Sequence, residues 1–168
     1  MRQPPFAQLC QAAPGALALA RAGRIVVQQC SEVQWRAGLG YWCVRTSTDE
    51  RVIGLSGCAT VDDNPWWNLY YRLDSAVHGR GYAAEVARHA LVAAHDVDPD
   101  RPVMAYLVEH NAASRRIAER IGLTLVWRGA DADNEDPEAI RLVYLDRDPD
   151  DGLRRAMAAQ GMPGDGMV

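Results

Sequence analysis

The sequence contains no lysine: all 18 basic residues of this 168-residue chain are arginines. A nucleotide-binding loop that relies on a lysine side chain is therefore excluded, and so is catalysis through a lysine Schiff base. The only primary amine that the chain itself offers is its N-terminus.

The sequence also lacks an excess of positive charge and any long apolar run. Its formal net charge is −4 at pH 7, so no global positive field would attract nucleic acid or an anionic membrane surface. No run approaches about 18 apolar residues, and the N-terminus shows no charged segment leading into an apolar one. We therefore expect a cytoplasmic protein with neither nucleic acid nor membrane as a partner, in which any bound anion is held locally.

Cysteines are few and are not arranged as metal ligands. The four of them, Cys10, Cys30, Cys43 and Cys58, are scattered through apolar or periodic segments without C-x-x-C spacing. This pattern favours reduced, half-buried thiols over reactive ones. No metal site is predicted.

What is present is ordinary globular composition, with 48% hydrophobic and 24% charged residues. The length fits a single domain, which we place at residues 1–148. The remaining residues, 149–168, are predicted to form a short helix near 151–159. The terminal GMPGDGMV is then expected to be disordered.

The first half of the chain changes its pattern near residue 40. A short strand is predicted over 6–12, followed by a helix that begins at Pro14 and ends at Arg21, and by a second helix over 25–37. Three strands then follow at 41–46, 51–60 and 66–74. Their short connections favour an antiparallel meander.

The second half alternates helices and strands. A glycine loop opens a helix that runs to about His95, and an apolar strand follows at 103–108. Asn111 is the predicted N-cap of a helix that stops at Gly122, and strands at 123–128 and 140–145 complete the order. The sequence predicts an α/β fold, with one mixed sheet and helices on both of its faces.

The glycine loop, HGRGYAAE at residues 78–85, allows three interpretations. It could simply turn the chain between a strand and a helix. It also matches the dinucleotide pattern G-x-G-x-x-A, although the upstream strands and the Asp-Pro turn about 20 residues later fit that motif poorly. In the third interpretation, the backbone N–H groups of residues 79–83 face an anion at the positive end of the helix.

A second motif, HNAASRRIAERIGL at residues 110–123, bears on this choice. Together, the glycine loop and this motif resemble the acetyl-CoA loop and the Asn-initiated helix of the GNAT N-acetyltransferase superfamily. The forms GRGYAAE and N-x-x-S-R-R look most like the branch of ribosomal-protein N-terminal alanine acetyltransferases. The resemblance covers roughly residues 6–146, and it implies a central, mostly antiparallel sheet of about seven strands.

The resemblance implies acetyl transfer from acetyl-CoA to an amine acceptor, either a protein N-terminus or a small amine, within a ternary complex. A backbone N–H near Tyr70 to Arg72 would polarise the thioester carbonyl. The implied cofactor contacts are Tyr71, Arg72, Leu73, His78, Gly79, Arg80, Gly81, Tyr82, Ala83, Asn111, Ser114 and Arg116. A homodimer is left open beside a monomer.

For the proton transfers, the resemblance and the motif positions give three candidate catalytic residues. Ser114 lies one helical turn after Asn111 and would protonate the departing thiolate. Glu109 and His78 would remove the proton of the acceptor amine, with Asp62 or Asp63 as further options. Each of these side chains has a plainer alternative as a helix residue or a solvated charge.

Three residues depart from the family pattern. His78 replaces the usual first residue of the acetyl-CoA loop. Asn68 stands where related enzymes often carry a glutamate, and Ala118 stands where many carry a tyrosine acid. The last two departures support an alternative, an acyl-CoA-binding or regulatory module without catalysis. A scaffold that acts only through protein partners is a third possibility.

The adjacent Trp66 and Trp67 pose a separate question. Neighbouring side chains of a strand point to opposite faces, so only one of the two is expected to face a single core. The other would pack under a helix or line an acceptor pocket.

Overall fold

The computed structural model describes residues 19–22, 25–29, 39–61 and 64–168, and gives the backbone alone for 19–22, 25–29 and 49–50. Within these residues the chain forms one eight-stranded sheet. The strands are β1 (Leu19–Ala22), β2 (Ile25–Gln29), β3 (Tyr41–Thr46), β4 (Asp49–Ala59), β5 (Trp67–Leu73), β6 (Val103–Val108), β7 (Thr124–Ala130) and β8 (Ile140–Leu145).

The strand order is β1-β2-β3-β4-β5-β6-β8-β7. Every neighbouring pair is antiparallel except β5 and β6, which are parallel. The predicted meander and the mixed, mostly antiparallel sheet are confirmed, and the described strands number eight where about seven were expected.

In the described part of the chain, three α-helices cover the sheet: α1 (Tyr82–Val97), α2 (Ala112–Arg120) and α3 (Asp151–Ala159). The first lies between β5 and β6, because parallel neighbours need a crossover connection. Alanines at helical spacing, fully buried at positions 87, 90 and 94, let α1 lie close to the sheet. Within the described residues no helix is both long enough and apolar enough to span a membrane.

Each face of the sheet has its own core. The larger core joins α1 and α2 to inward side chains such as Val103, Ala105 and Tyr144. The smaller one packs α3 against Met104 and Val143 from the opposite face of the same strands. This alternation follows from the two-residue period of a strand, and it confirms the expected helices on both faces.

The two tryptophans show the consequence of having two cores. Trp67 is fully buried in the larger core and Trp66 is 1% exposed in the smaller one. The two side chains point to opposite faces, as expected, and the second tryptophan packs under a helix: Trp66 lies in the same cluster as Leu153 and Met157 of α3.

Two helices predicted near the N-terminus are wrong where the structure describes them. The end of the first, predicted to run to Arg21, lies in β1, and the start of the second, predicted over 25–37, lies in β2. The segment of β2 reads IVVQQ, and its β-branched residues favour a strand once Val27 can pair with Val44 of β3. The strand predicted over 6–12 lies outside the described residues.

The C-terminal segment contains the predicted short helix, α3, whose N-cap Asp150 accepts a hydrogen bond from the Leu153 N–H at 2.7 Å. The expected disorder after it is wrong. Met162 is 1% exposed in the smaller core, and the Trp127 indole N–H donates to the Pro163 carbonyl at 2.8 Å. The glycines and prolines of this segment favour disorder, but burial of its apolar side chains and contacts with the edge strand β7 order it.

The cysteines follow the prediction only in part. Cys58 is a free, fully buried thiol whose Sγ lies 3.6 Å from the Ala90 carbonyl, and burial raises its pKa. Cys43 is disulfide-bonded, so the expectation of a reduced thiol is wrong for that residue.

Candidate active site

The strands β5 and β6 pair only at their beginnings. Trp67 pairs with Val103 and Asn68 pairs with Met104, and no further pair joins the two strands. Both nevertheless continue, to Leu73 and to Val108, and each keeps its antiparallel neighbour on the other side. The sheet therefore has an opening between the second halves of β5 and β6.

Two helix N-termini flank this opening. Because β5 and β6 are parallel, the segments that follow them emerge at the same end of the sheet, where α1 and α2 begin. Carboxyl ends of parallel strands are where open α/β sheets bind ligands. The N-terminus of each helix adds partial positive charge and unpaired N–H groups.

The loop before α1 exposes its backbone donors. A short 3₁₀ turn, Ser75–Val77, follows β5, and Gly79 and Gly81 then take left-handed φ angles of 77° and 82°. Within the described part of the chain, the N–H groups of Gly79, Arg80 and Gly81 donate no hydrogen bond. The glycines thus leave a row of free donors at the positive end of a helix, which is the arrangement that binds anions.

Steric crowding does not explain why residue 79 is a glycine. A Cβ placed on it would meet no atom within 4 Å, so only its φ angle, and whatever approaches the loop, calls for glycine. The residues after the glycines, Tyr82 and Ala83, are half-buried at the start of α1, and Arg80 is exposed.

The start of α2 has the predicted cap. The Asn111 side chain accepts a hydrogen bond from the Ser114 N–H at 3.0 Å, and both residues lie at the N-terminus of the helix. The Ser114 hydroxyl has no hydrogen-bond partner among the described residues. Arg116 is exposed on the same helix, which carries three arginines and a single glutamate.

Tyr71 bridges the opening. Its hydroxyl donates to the Ser114 carbonyl at 3.1 Å, which joins the free half of β5 to the first turn of α2. Burial raises the Tyr71 pKa to about 12, so the phenol stays protonated at neutral pH. The sequence predicted a role for the backbone here, and the side chain was missed.

The two candidate bases already have partners. The His78 Nε2 lies 3.2 Å from the Leu73 carbonyl, at the end of β5. The Glu109 carboxylate is bidentate with Arg128, at 2.8 and 3.0 Å, and these hydrogen bonds lower its pKa. Arg72 is exposed at the end of β5.

Two of the residues that depart from the family pattern, Asn68 and Ala118, have defined surroundings. The Asn68 amide donates to the Tyr41 hydroxyl at 3.0 Å, at the last β5–β6 pair. Ala118 is fully buried in the larger core, so it presents no group to the opening. Asp62 and Asp63 lie outside the described residues.

A cavity of about 380 Å³ lies at this opening on the other face of the sheet. The strands β5, β6 and β8 supply Asn68, Tyr106 and Arg141 to its lining, Trp66 precedes β5, and the β7–β8 connection adds Asp131 and Asp133. Sequence reasoning did not assemble this cavity. The one available signal was Arg141, a charged residue in the apolar run IRLVYL beside an acidic insertion.

The described residues contain no group of three histidine, cysteine or acidic side chains that could hold a metal ion. The polar groups of the site are backbone donors with the side chains of Asn111, Ser114 and Tyr71 on one face, and arginine, carboxylate and phenol side chains on the other.

The chain matches the sequence model of the acetyltransferase (GNAT) domain over residues 10–124. It therefore belongs to the GNAT acetyltransferase family, as the paired motifs suggested. No curated protein matches it significantly.

Solved structures agree on the fold. An acetyltransferase from Agrobacterium tumefaciens str. C58 is 22% identical and covers 81% of this chain and 98% of its own, with a TM-score of 0.62. The ribosomal-protein-S5-alanine acetyltransferase of Vibrio fischeri is 16% identical, with coverages of 67% and 63% and a TM-score of 0.57.

A third structure, from Bacillus anthracis str. Ames, is described as a streptothricin acetyltransferase in complex with acetyl coenzyme A. It is 11% identical, covers 66% of this chain and 63% of its own, and has a TM-score of 0.55. At such identities the likeness concerns the fold alone.

Proposed function

We propose that the protein transfers an acetyl group from acetyl-CoA directly to a primary amine, either a protein N-terminus or a small amine, within a ternary complex. The observation that carries this proposal is the opening between β5 and β6, where two parallel strands separate after two residue pairs. The opening gives an extended ligand a backbone edge along which to lie, between the N-termini of two helices.

The cofactor would be held mainly by backbone. The N–H groups from Gly79 to Ala83 face the pyrophosphate, with Arg80 and Arg116 adding charge. Asn111 binds the pantetheine arm through the amide N–H that capping leaves free. A backbone N–H between Tyr71 and Leu73 polarises the thioester carbonyl, where one preorganised donor is worth about 3 kcal/mol of transition-state stabilisation.

The comparisons support this assignment at the level of the family. The acetyltransferase domain model spans both motifs, and the Bacillus anthracis structure contains acetyl coenzyme A. The Vibrio fischeri protein is named as an acetyltransferase of an alanine of ribosomal protein S5. This name supports a protein N-terminus as one of the acceptors to test.

The departing thiolate would be stabilised from α2. Ser114 offers a hydroxyl without a partner, and the Tyr71 phenol lies beside it. A phenol of pKa about 12 is far weaker as an acid than a thiol of pKa about 8.5. Tyr71 would therefore donate a hydrogen bond to the thiolate and not transfer its proton, and its single O–H would have to turn from the Ser114 carbonyl to do so.

The amine proton would leave through water towards His78 or Glu109. An α-amine, with a pKa of about 8, is largely neutral at mildly alkaline pH and needs little assistance. The hydrogen bonds from Arg128 lower the pKa of Glu109 and so make its carboxylate a weaker base. This agrees with the small assistance that such an amine needs.

The test is acetyl-CoA binding, measured as a rise in melting temperature, with two matched glycine variants. Gly79 and Gly161 have nearly equal φ angles, 77° and 79°, and an added Cβ at either one meets no atom within 4 Å. Replacing either glycine by alanine should therefore destabilise the free protein equally, by about 1–2 kcal/mol.

Only G79A places the new methyl group where the pyrophosphate would lie. We expect acetyl-CoA to stabilise the wild type and G161A by about 2.7 kcal/mol at a hundredfold excess over Kd, and to lose most of that effect in G79A. Equal responses of the two variants, or no response of the wild type at millimolar acetyl-CoA, would refute the proposal.

One observation favours a second function. The position of the family's strand carboxylate is occupied by Asn68, whose amide is bound to Tyr41. A binding module without catalysis would show the same melting shifts. It would release no CoA thiol above hydrolysis with any amine, so a thiol-release assay separates the two functions.

A further inference from the structure

The cavity behind the opening contains one cation that is largely removed from water. Arg141 of β8 pairs with Val108 of β6 in the sheet register, at the end of the half of β6 that no longer pairs with β5. Its side chain is 17% exposed, and its guanidinium carbon lies 5.5 Å from the centre of the Tyr106 ring. A buried arginine needs both charge compensation and hydrogen-bond acceptors.

Among the described residues, Arg141 has two acceptors, and both are at one nitrogen. Asp131 and Asp133 each accept from Nη2, the latter at 2.9 Å. Within the described part of the chain, the Nε and Nη1 groups donate no hydrogen bond. Three of the five guanidinium N–H bonds therefore have no acceptor from these residues, in a side chain that lines the cavity.

The geometry of a guanidinium shows how an added anion would bind. Its two bidentate edges, Nε with Nη2 and Nη1 with Nη2, share Nη2. A carboxylate can take either edge only when one of the aspartates leaves that nitrogen.

The two aspartates differ in how easily they can leave. Asp131 is 10% exposed and its second oxygen accepts from the Asn134 amide at 3.2 Å. Asp133 is 85% exposed and has its ion pair with Arg141 as its contact. An exposed carboxylate gains little from such a pair because water solvates it almost as well. Asp133 is the partner that a ligand would replace.

We propose that the acceptor amine carries a carboxylate, as an amino acid or a short peptide does, and that this carboxylate replaces Asp133 on Arg141. The inference rests on the proposed acetyl transfer for the use of this cavity, while binding of the carboxylate is independent of it. Asp131 stays in place and keeps the guanidinium oriented over Tyr106, and Asp133 screens it when the cavity is empty.

The experiment compares free amino acids with their own carboxamides, which keep the amine and lose the carboxylate. Thiol release at saturating acetyl-CoA gives kcat/KM for each pair, and the melting temperature with amino acid alone gives binding without turnover. The variants are R141Q and D133N. The matched control is E135Q, which removes the same charge from an exposed residue of the same segment that makes no contact with Arg141.

We expect the wild type to prefer the acid over its amide by about tenfold or more, and R141Q to lose this preference together with the melting shift. D133N should lower the KM of the acids by about threefold, because their competitor is gone, and leave the amides unchanged. E135Q should behave as the wild type.

Each other outcome overturns the inference. If D133N raises the KM of acids and amides alike, Asp133 binds the ammonium group and the acceptor is a plain cationic amine. Equal kcat/KM values for acids and amides, or equal losses of both in R141Q, remove the carboxylate from recognition. Failure of acetyl-CoA binding would refute the proposed transfer. The melting shift with amino acid alone would still show whether the cavity binds a carboxylate at Arg141.

Discussion

The two faces of the sheet surround the same opening with different chemistry. On the face of α1 and α2, the available groups are mainly backbone N–H groups before and at the starts of the helices. On the face of α3, they are side chains: Arg141, its two aspartates and the Tyr106 ring. A ligand shared by many enzymes can be held by backbone, whereas one that varies between enzymes requires side chains.

This difference also affects what a sequence can reveal. Backbone recognition requires particular residues only where φ is positive or an approach is close, so it leaves a glycine motif such as that of Gly79 and Gly81. Side-chain recognition across neighbouring strands leaves no fixed spacing along the chain.

The largest effects should come from removing the core of either face. Trp67→Ala and Trp66→Ala each delete a side chain that is at most 1% exposed, and each should lower the free energy of unfolding by about 3–5 kcal/mol. Urea denaturation measures both losses. Val92→Ala is the control: Val92 is 52% exposed on α1, and its loss should stay within about 0.5 kcal/mol.

The comparison of the two faces predicts a further distinction. Trp66 lines the cavity and Trp67 does not, so the milder Trp66→Phe should raise the KM of the acceptor while Trp67→Phe leaves it unchanged. If either alanine variant loses only about 1 kcal/mol of unfolding free energy, the face of the sheet that carries the replaced tryptophan lacks an independent core.

The segments predicted well from sequence are those fixed by local rules. The Asn111 cap and the Gly122 stop of α2 depend on a few neighbouring residues, and the structure has the Asn111 cap and a left-handed Gly122 with φ of 95°. The meander was equally accessible, because short turns force consecutive strands to pair.

The failures have a common physical cause. The run IVVQQ fits a helical period and a strand alike, and pairing with β3 decides in favour of the strand. The end of the chain reads as disordered until Trp127 of β7 supplies a partner for Pro163. In both cases the deciding contact is distant in sequence.

The cavity illustrates the same limit at the site. From the sequence, Asp131 and Asp133 belong only to the connection between the strands predicted at 123–128 and 140–145, and Arg141 is one residue of the second strand. The register Val108↔Arg141, together with the fold of the insertion, brings them to Tyr106. No spacing rule contains that information.

An intermediate effect is expected from the two tyrosines that lie on opposite faces. Tyr71→Phe removes the hydroxyl that reaches Ser114. If that hydroxyl donates to the thiolate, a hydrogen bond to a charged group worth about 1.5–3 kcal/mol is lost, and kcat should fall by about 10- to 100-fold. Tyr106→Phe, in the cavity, should change the acceptor KM and leave kcat unaltered.

Ser114→Ala completes this experiment. If Ser114 and Tyr71 stabilise the same thiolate, the double variant should lose less than the product of the two single losses. Multiplied losses would indicate independent roles. An unchanged kcat in Tyr71→Phe would assign the phenol to structure, worth about 1 kcal/mol as a hydrogen bond.

The smallest effects should come from the titratable groups at the rim, Glu109 and His78. Arg128 lowers the pKa of Glu109, so this carboxylate is charged throughout the neutral range and cannot produce an inflection there. Its contribution to stability is present above the ordinary carboxyl pKa and is lost as the pH falls through the lower folded value.

The pH profile of kcat/KM should therefore follow the acceptor. For an α-amine the rate should rise up to a pH of about 8, and for an alkyl amine up to about 10, since only the neutral amine attacks. Glu109→Gln and His78→Gln should each change the plateau by less than about threefold. A hundredfold loss in one of them, together with a wild-type inflection that stays at the same pH for every acceptor, would identify that residue as the general base.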